Sequence, residues 1–217
     1  KIINIDKEKN LIELENTAFY GKSGGQPGDT GYLSVNTKEL EVTETLKEKN
    51  SIIHKVNSVS DIKIGEIVKG EINWKNRYNY MKMHTALHIL CAVIPMGVTG
   101  GQIGNEKSRL DFNADSKSIN KENIQEKINH ILKINNIISY DWVDSEELEK
   151  KPELVRTMSV KPPSVNGKIR LVKIGNIDLQ PCGGTHVNNT SEIGSIIVGK
   201  IENKGKMNRR INISIND

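Results

Sequence analysis

The 217-residue chain carries 31 Lys and Arg against 27 Asp and Glu, a formal charge of +4, with 4% aromatics and two cysteines. That length buries a real core in one large or two small domains. The mild positive charge permits a nucleic-acid partner without requiring one. Two cysteines exclude a disulfide framework, and no apolar run reaches bilayer length, so no membrane partner and a reducing cytoplasm are expected. Lys1 rather than Met opens the chain, so residues upstream of it are also expected.

The first seventy-odd residues read as strands. Polar and apolar residues alternate around Leu11–Asn16 and Glu39–Glu44, and Ser51–Val56 and Gly65–Trp74 follow the same style. Short strands without a helix predict a small barrel. His54 is read as a solvent-facing strand residue. Within this region, Phe19-Tyr20-Gly21-Lys22-Ser23-Gly24-Gly25-Gln26-Pro27-Gly28-Asp29-Thr30-Gly31 is rich in glycine, as a tight loop or a close backbone approach requires. It fits no phosphate-loop template.

The period changes after Trp74. Lys75 to about Ile94 is helical, stopped by Pro95 and Gly97. Met81, His84, Leu87, His88 and Cys91 share one face of it. Gly100–Gly104 and Ser108–Phe112 read as a strand pair. A second helix runs from an Asn120 cap to about Asn135, with His130 on its surface. Ile138–Val143 is a strand, and Asp144 starts a short acidic helix with Glu147 placed for a capping box. Strands at Ile169–Ile174, Ile196–Ile201 and Ile211–Ile215 close the chain. The fold class is therefore α+β, with a barrel over 1–74 and, over 75–217, helices packed on an antiparallel sheet in two layers.

His84 and His88 stand four apart on a helix, so both imidazoles reach one ion. Cys182 and His186 form a second pair in a Gly-rich loop, Pro181-Cys182-Gly183-Gly184-Thr185-His186. Three nitrogens and a thiolate suit a single tetrahedral zinc ion. Cys91, about 10 Å along the helix from His84, is too far to share that ion and reads as a core thiol. Thr85 follows His84 where a zinc peptidase needs glutamate, which removes that chemistry. Lys204, Lys206, Arg209 and Arg210 gather in one hairpin turn, a candidate contact for a nucleic-acid backbone.

His84-Thr85-Ala86-Leu87-His88-Ile89-Leu90 and Cys182-Gly183-Gly184-Thr185-His186-Val187 closely resemble the editing domain of alanyl-tRNA synthetase and its freestanding relatives, the AlaX proteins. Phe19-Tyr20 with Gly24–Gly31 is similar to that family's glycine-rich motif. Gly101–Gly104, Arg109–Phe112 and Ser191–Gly194 also fall where the family has similar runs. Gly21-Lys22-Ser23 stands where the family more often has Pro-Glu-Gly.

The resemblance implies a trans-editing deacylase of the medium AlaX type, acting on tRNA(Ala) mischarged with serine or glycine. It implies His84, His88, Cys182 and His186 as zinc ligands, Thr30 as a serine-sensing hydroxyl and Gln102 as a catalytic polar group. Gly24, Gly25, Gln26, Gly183 and Gly184 would line the substrate site, with backbone N–H groups of the last two aimed at the oxyanion. Two alternatives stand beside it: a zinc-stabilised tRNA-binding module without catalysis, and an editing fragment of a whole synthetase.

Overall fold

The computed structural model describes residues 1–115, 119–158 and 161–216. The chain divides into two compact units, Lys1–Tyr78 and Asn79–Asp217.

The first unit is one antiparallel sheet. Its strands are β1 (Ile2–Asp6), β2 (Leu11–Leu14), β3 (Gly31–Val35), β4 (Lys38–Glu48), β5 (Ser51–Val56) and β6 (Lys69–Ile72), paired in the order β1-β2-β5-β4-β3-β6. Alternation places Leu33, Val35, Leu40, Val42 and Val56 on the inner face with Ile2, Ile12, Leu14 and Phe19. Two of the tight turns place Asn at positive φ, Asn10 at 53° between β1 and β2 and Asn36 at 54° between β3 and β4. Ladder pairing runs from β1 to β6, and among the described residues no ladder joins those two end strands.

His54 departs from expectation. It is fully buried, its Nε2 meets Thr17 Oγ1 at 2.9 Å, its Nδ1 meets Ile12 O at 3.2 Å, and Phe19 packs edge-on against the ring. β5 lies between β2 and β4, so its inward positions cannot be solvent-facing. Burial holds the His54 pKa below the ordinary value, against a raising bond from Ile12.

The glycine-rich segment is shaped by two constraints. Ser23 and Gln26 exchange backbone hydrogen bonds of 3.2 and 2.9 Å around Gly24 and Gly25, whose φ values of 56° and 81° suit a two-residue hairpin turn. Gly28 lies so close to β4 that an added Cβ would sit 1.8 Å from Thr45 O. Asp29, next to it, is buried and accepts from Tyr20 N and from Arg77, whose Nε stands 2.9 Å from Asp29 Oδ1.

The long helix α1 (Trp74–Val93) matches its predicted span. Every residue from Met83 to Cys91 is buried, so here the helix has no solvent face, unlike the single apolar stripe read from the sequence. In the second unit, β7 (Val98–Gln102) and β8 (Lys107–Phe112) join β13 (Ser195–Gly205) and β14 (Asn208–Asn216) in the order β13-β14-β8-β7. Helix α2 (Lys121–Lys133) packs on β13, and its Asn120 cap accepts from Asn123 N at 2.7 Å. His130 is exposed.

A second sheet contains β9 (Ile138–Asp144), β10 (Ser164–Val165), β11 (Lys168–Ile174) and β12 (Asp178–Pro181). β9 flanks β11 on one side, with β10 and β12 on the other. The short helix α3 (Ser145–Glu149) follows Asp144, but the expected capping box is absent. Asp144 is instead the last residue of β9, paired with Lys168 in the ladder, and the Glu147 carboxylate accepts from Lys151 Nζ at 3.0 Å. A capping box does form at Asn189 and Glu192, where a short 3-10 turn follows the His186 loop. The class is mixed α+β with antiparallel sheets.

Candidate metal centre

His84 and His88 rise from the buried stretch of α1, and Cys182 and His186 from the loop after β12. Their ligand atoms all lie within 4.8 Å of one another. Cys182 Sγ stands 3.3 Å from His84 Nε2 and 3.4 Å from His186 Nε2. The three rings crowd together, with centroids 4.4 to 5.3 Å apart.

The outer nitrogens distinguish a cluster that could hold a metal from a packed polar cluster. His88 Nδ1 faces Asp178 Oδ2 at 3.1 Å, and Gln180 Nε2 donates to the same oxygen at 2.7 Å. Thr85 Oγ1 donates to Met81 O at 2.8 Å, so at 3.2 Å it accepts from His186 Nδ1. With these partners the neutral form of each ring carries its proton on Nδ1 and turns the Nε2 lone pair inward, the arrangement that a second layer of hydrogen bonds gives to metal-ligating histidines. Among the described residues Asp178 Oδ1 is buried without a hydrogen-bond partner, and an inward cation is what such a carboxylate can compensate.

Charge runs the same way. Burial opposes ionisation of the Cys182 thiol, yet His84 and His186 beside it hold its pKa well below the ordinary value. Burial also disfavours imidazolium at His88, but Asp178 and the Cys182 sulfur outweigh it and raise that ring to about 9. Burial and then the neighbouring His84 and His88 push His186 down to about 3. A thiolate among buried imidazoles is a divalent-cation donor set with its anion ready. Cys91 behaves oppositely: burial first, then Asp178, lift its thiol to about 12, as befits a core residue.

The loop is held from β11. Cys182 N donates to Arg170 O at 3.0 Å, Arg170 Nε donates to Cys182 O at 2.9 Å, and the same guanidinium bonds Gly184 O. Gly184 N points at Cys182 Sγ, 3.3 Å away, so of the two glycine N–H groups expected to face an oxyanion this one is already committed. Gly183 packs against Pro163, whose Cγ would lie 2.8 Å from an added Cβ.

The other expected site residues are placed as follows. Gln102 is exposed at the end of edge strand β7, opposite Arg109. Thr30 is half-buried in the first unit, its carbonyl accepting from Asn73 N at 2.8 Å. Gly24 and Gly25 are exposed, whereas Gln26 is buried at 1% exposure. Lys204, Lys206, Arg209 and Arg210 do fall around the β13–β14 turn. Lys204 pairs with Glu202 at 2.8 Å, and Arg210 forks onto Asp111 with Nε 2.8 Å and a second nitrogen 2.9 Å away. Arg209 is buried and spends its guanidinium on Asn203, Gly205 and Asn208. Nothing in the sequence but strand alternation marks Asp178, Gln180 and Arg170, and Thr85 carries no sign there of its bond to His186.

Comparison with known proteins agrees with this geometry. A model described as "Threonyl and Alanyl tRNA synthetase second additional domain" matches residues 169–212, and one described as "tRNA synthetases class II (A)" matches 3–76. An alanyl-tRNA editing protein AlaX-M of Methanosarcina acetivorans is 37% identical over 95% of this chain and 89% of its own length. The chain belongs to the AlaX family of alanyl-tRNA editing proteins. An AlaX-M protein of Saccharolobus solfataricus is 39% identical over 94% of this chain and 88% of the relative. An AlaX-L protein of Pyrococcus horikoshii is 38% identical, but the matched region is only 52% of that longer relative. Among the described residues of this AlaX chain, no helix is long and apolar enough to cross a membrane.

Proposed function

We propose that this AlaX chain is a trans-editing hydrolase that cleaves the aminoacyl ester of tRNA(Ala) mischarged with serine or glycine, in the cytoplasm where charged tRNA is used. The observation that carries the reading is the His84, His88, Cys182 and His186 quartet, three buried imidazoles and a half-buried thiol, with its outer hydrogen bonds, in a chain of this family. The donor set fits one zinc ion. When bound, zinc would supply a Lewis acid able to polarise the ester carbonyl or acidify a water.

The protein's own groups have separate tasks in this proposal. Asp178 and Thr85 orient the ligating rings. The Gly183 N–H and Gln102 would donate to the developing oxyanion. Thr30 would pair with the serine hydroxyl, and Gly24, Gly25 and Gln26 would line the approach as part of the barrel domain over 1–74. Support for barrel closure comes from Ile2 N donating to Glu66 O and Gly65 N donating to Ile2 O, both 2.9 Å, which draw β1 toward the segment ahead of β6. Lys204 and Lys206 would lead the phosphate contacts, with Arg209 and Arg210 shaping the turn. A second site of this kind answers a chemical need, because a pocket for alanine discriminates poorly against ligands that differ by so little.

The test is deacylation of Ser-tRNA(Ala), Gly-tRNA(Ala) and Ala-tRNA(Ala) by wild type and by Cys182→Ala. Hydrolysis of a mischarged species, sparing of Ala-tRNA(Ala), and loss of activity with the thiolate are expected. Turnover of all three at one rate, or of none, would overturn the reading.

A further inference from the structure

This chain has few aromatic side chains, yet two of them stand together on the sheet that carries the metal loop. The registers place them. Trp142 pairs with Arg170, and Tyr140 with Val172, across β9 and β11. On the far side of β11, Val172 pairs with Gln180 and Ile174 with Asp178. Cys182 N then bonds Arg170 O one step past the last ladder pair.

Because side chains alternate along a strand, Tyr140, Trp142, Arg170, Gln180, Asp178 and Cys182 belong to one face of this sheet. Leu171, Ile169 and Val143 take the opposite face and form its small core with Leu148. The row Trp142–Arg170–Cys182 spans two strand spacings, roughly 10 Å.

That face is covered at its metal end and open at its β9 end. Val172 and Ile174 are fully buried, while Tyr140 and Trp142 keep 46% and 51% of their surface exposed. Between them and the metal loop, the Arg170 guanidinium lies 5.0 Å from the Tyr140 ring centroid while its nitrogens hold Cys182 O and Gly184 O. The ring plane is thus fixed by a cation that is itself fixed by the ligand loop. A half-exposed, positively backed aromatic shelf is how proteins hold an unpaired base, since every base has a π-face.

We propose that Tyr140 and Trp142 form the shelf on which the 3′-terminal nucleobase of the acylated RNA stacks, with Arg170 locking that shelf to the metal loop so that the terminal ribose ester falls beside the metal centre. The assignment rests on the deacylase reading and gives it a substrate-positioning surface. The two residues are positioning groups and do no bond chemistry.

The experiment has a kinetic arm and a binding arm, on the zinc-loaded full chain. In steady-state deacylation of mischarged tRNA(Ala), Tyr140→Ala and Trp142→Ala are each expected to raise KM roughly 5- to 150-fold, the range that one lost base stack gives. The kcat should stay within about twofold, and Tyr140→Phe should restore KM where Tyr140→Leu does not. Metal content measured on each variant separates this from damage to the centre.

For the binding arm, Trp74→Phe leaves Trp142 as the only indole. An RNA oligonucleotide ending in CCA is expected to quench it saturably, and the same strand with an abasic 3′ nucleotide is not. A KM unmoved by both alanine variants at full metal content would overturn the proposal, as would equal quenching by the abasic strand. If wild type deacylates nothing, the catalytic reading fails, and the quenching arm still decides the shelf: base-dependent quenching sustains it, and no quenching ends it.

Discussion

Asp178→Asn isolates the contribution of the hydrogen bonds behind the ligands. The carboxylate is 4% exposed, takes His88 Nδ1–H and Gln180 Nε2–H on Oδ2, and has no partner for Oδ1 among the described residues. Asparagine keeps the volume and one acceptor oxygen but removes the charge. Loss of such an outer partner weakens metal binding by about 10- to 100-fold. By mass action, at fixed excess metal this lowers the stability of the loaded protein by about 1.4 to 2.7 kcal/mol. The metal-free protein also loses by the substitution, because there the carboxylate holds the buried His88 ring as imidazolium. Its thermal midpoint is expected to fall, and that of the loaded form to fall further. Two assays together check this: competition for zinc against a chromophoric chelator, and thermal unfolding with and without metal. Unchanged zinc affinity, with both forms destabilised equally, would refute the reasoning and make Asp178 a packing residue.

Three further outcomes follow from the first unit. Gly28→Ala would drive a methyl into Thr45 O and should cost about 1–3 kcal/mol or more in urea unfolding, while Gly24→Ala, in open space at φ 56°, should cost only about 1 kcal/mol. His54 is held neutral by burial, so its folded pKa lies below 6.5. Its stabilising contribution should be complete above pH 6.5 and lost as pH falls from there through the folded value, by up to about 1.4 kcal/mol per pH unit. Unfolding at stepped pH should show that slope in wild type and not in His54→Gln. Arg77→Met strands the buried Asp29 carboxylate, and equilibrium denaturation should register a loss of about 3–5 kcal/mol.

The metal quartet was legible because each half is a local spacing: four residues along a helix, and four within one loop. Strand alternation and the Pro95 stop were legible for the same reason, being properties of neighbours in sequence. What escaped were contacts between distant positions. His54 looks like any outward strand residue until β2 and β4 enclose it with Thr17 and the Ile12 carbonyl. The charges of Arg209 and Arg210 looked free because Asn203 and Asp111, which occupy them, are not adjacent in a readable pattern. Glu147 had the right offset for a cap, but Asp144 ends a strand paired with Lys168, more than twenty residues away. Asp178 and Tyr140 carry no motif, and only ladder register puts them on the metal face.

The two ligand pairs are separated by 98 residues between His84 and Cys182. A cation held by both pairs would tie α1 to the loop after β12, a clasp on a ring of that length. In a chain-entropy view, closing a ring of that length removes on the order of 4–5 kcal/mol of disorder from the unfolded ensemble. The same ion would therefore govern longevity as well as reactivity: stripped of it, the molecule should keep its sheets yet breathe open where α1 meets the Cys182 loop.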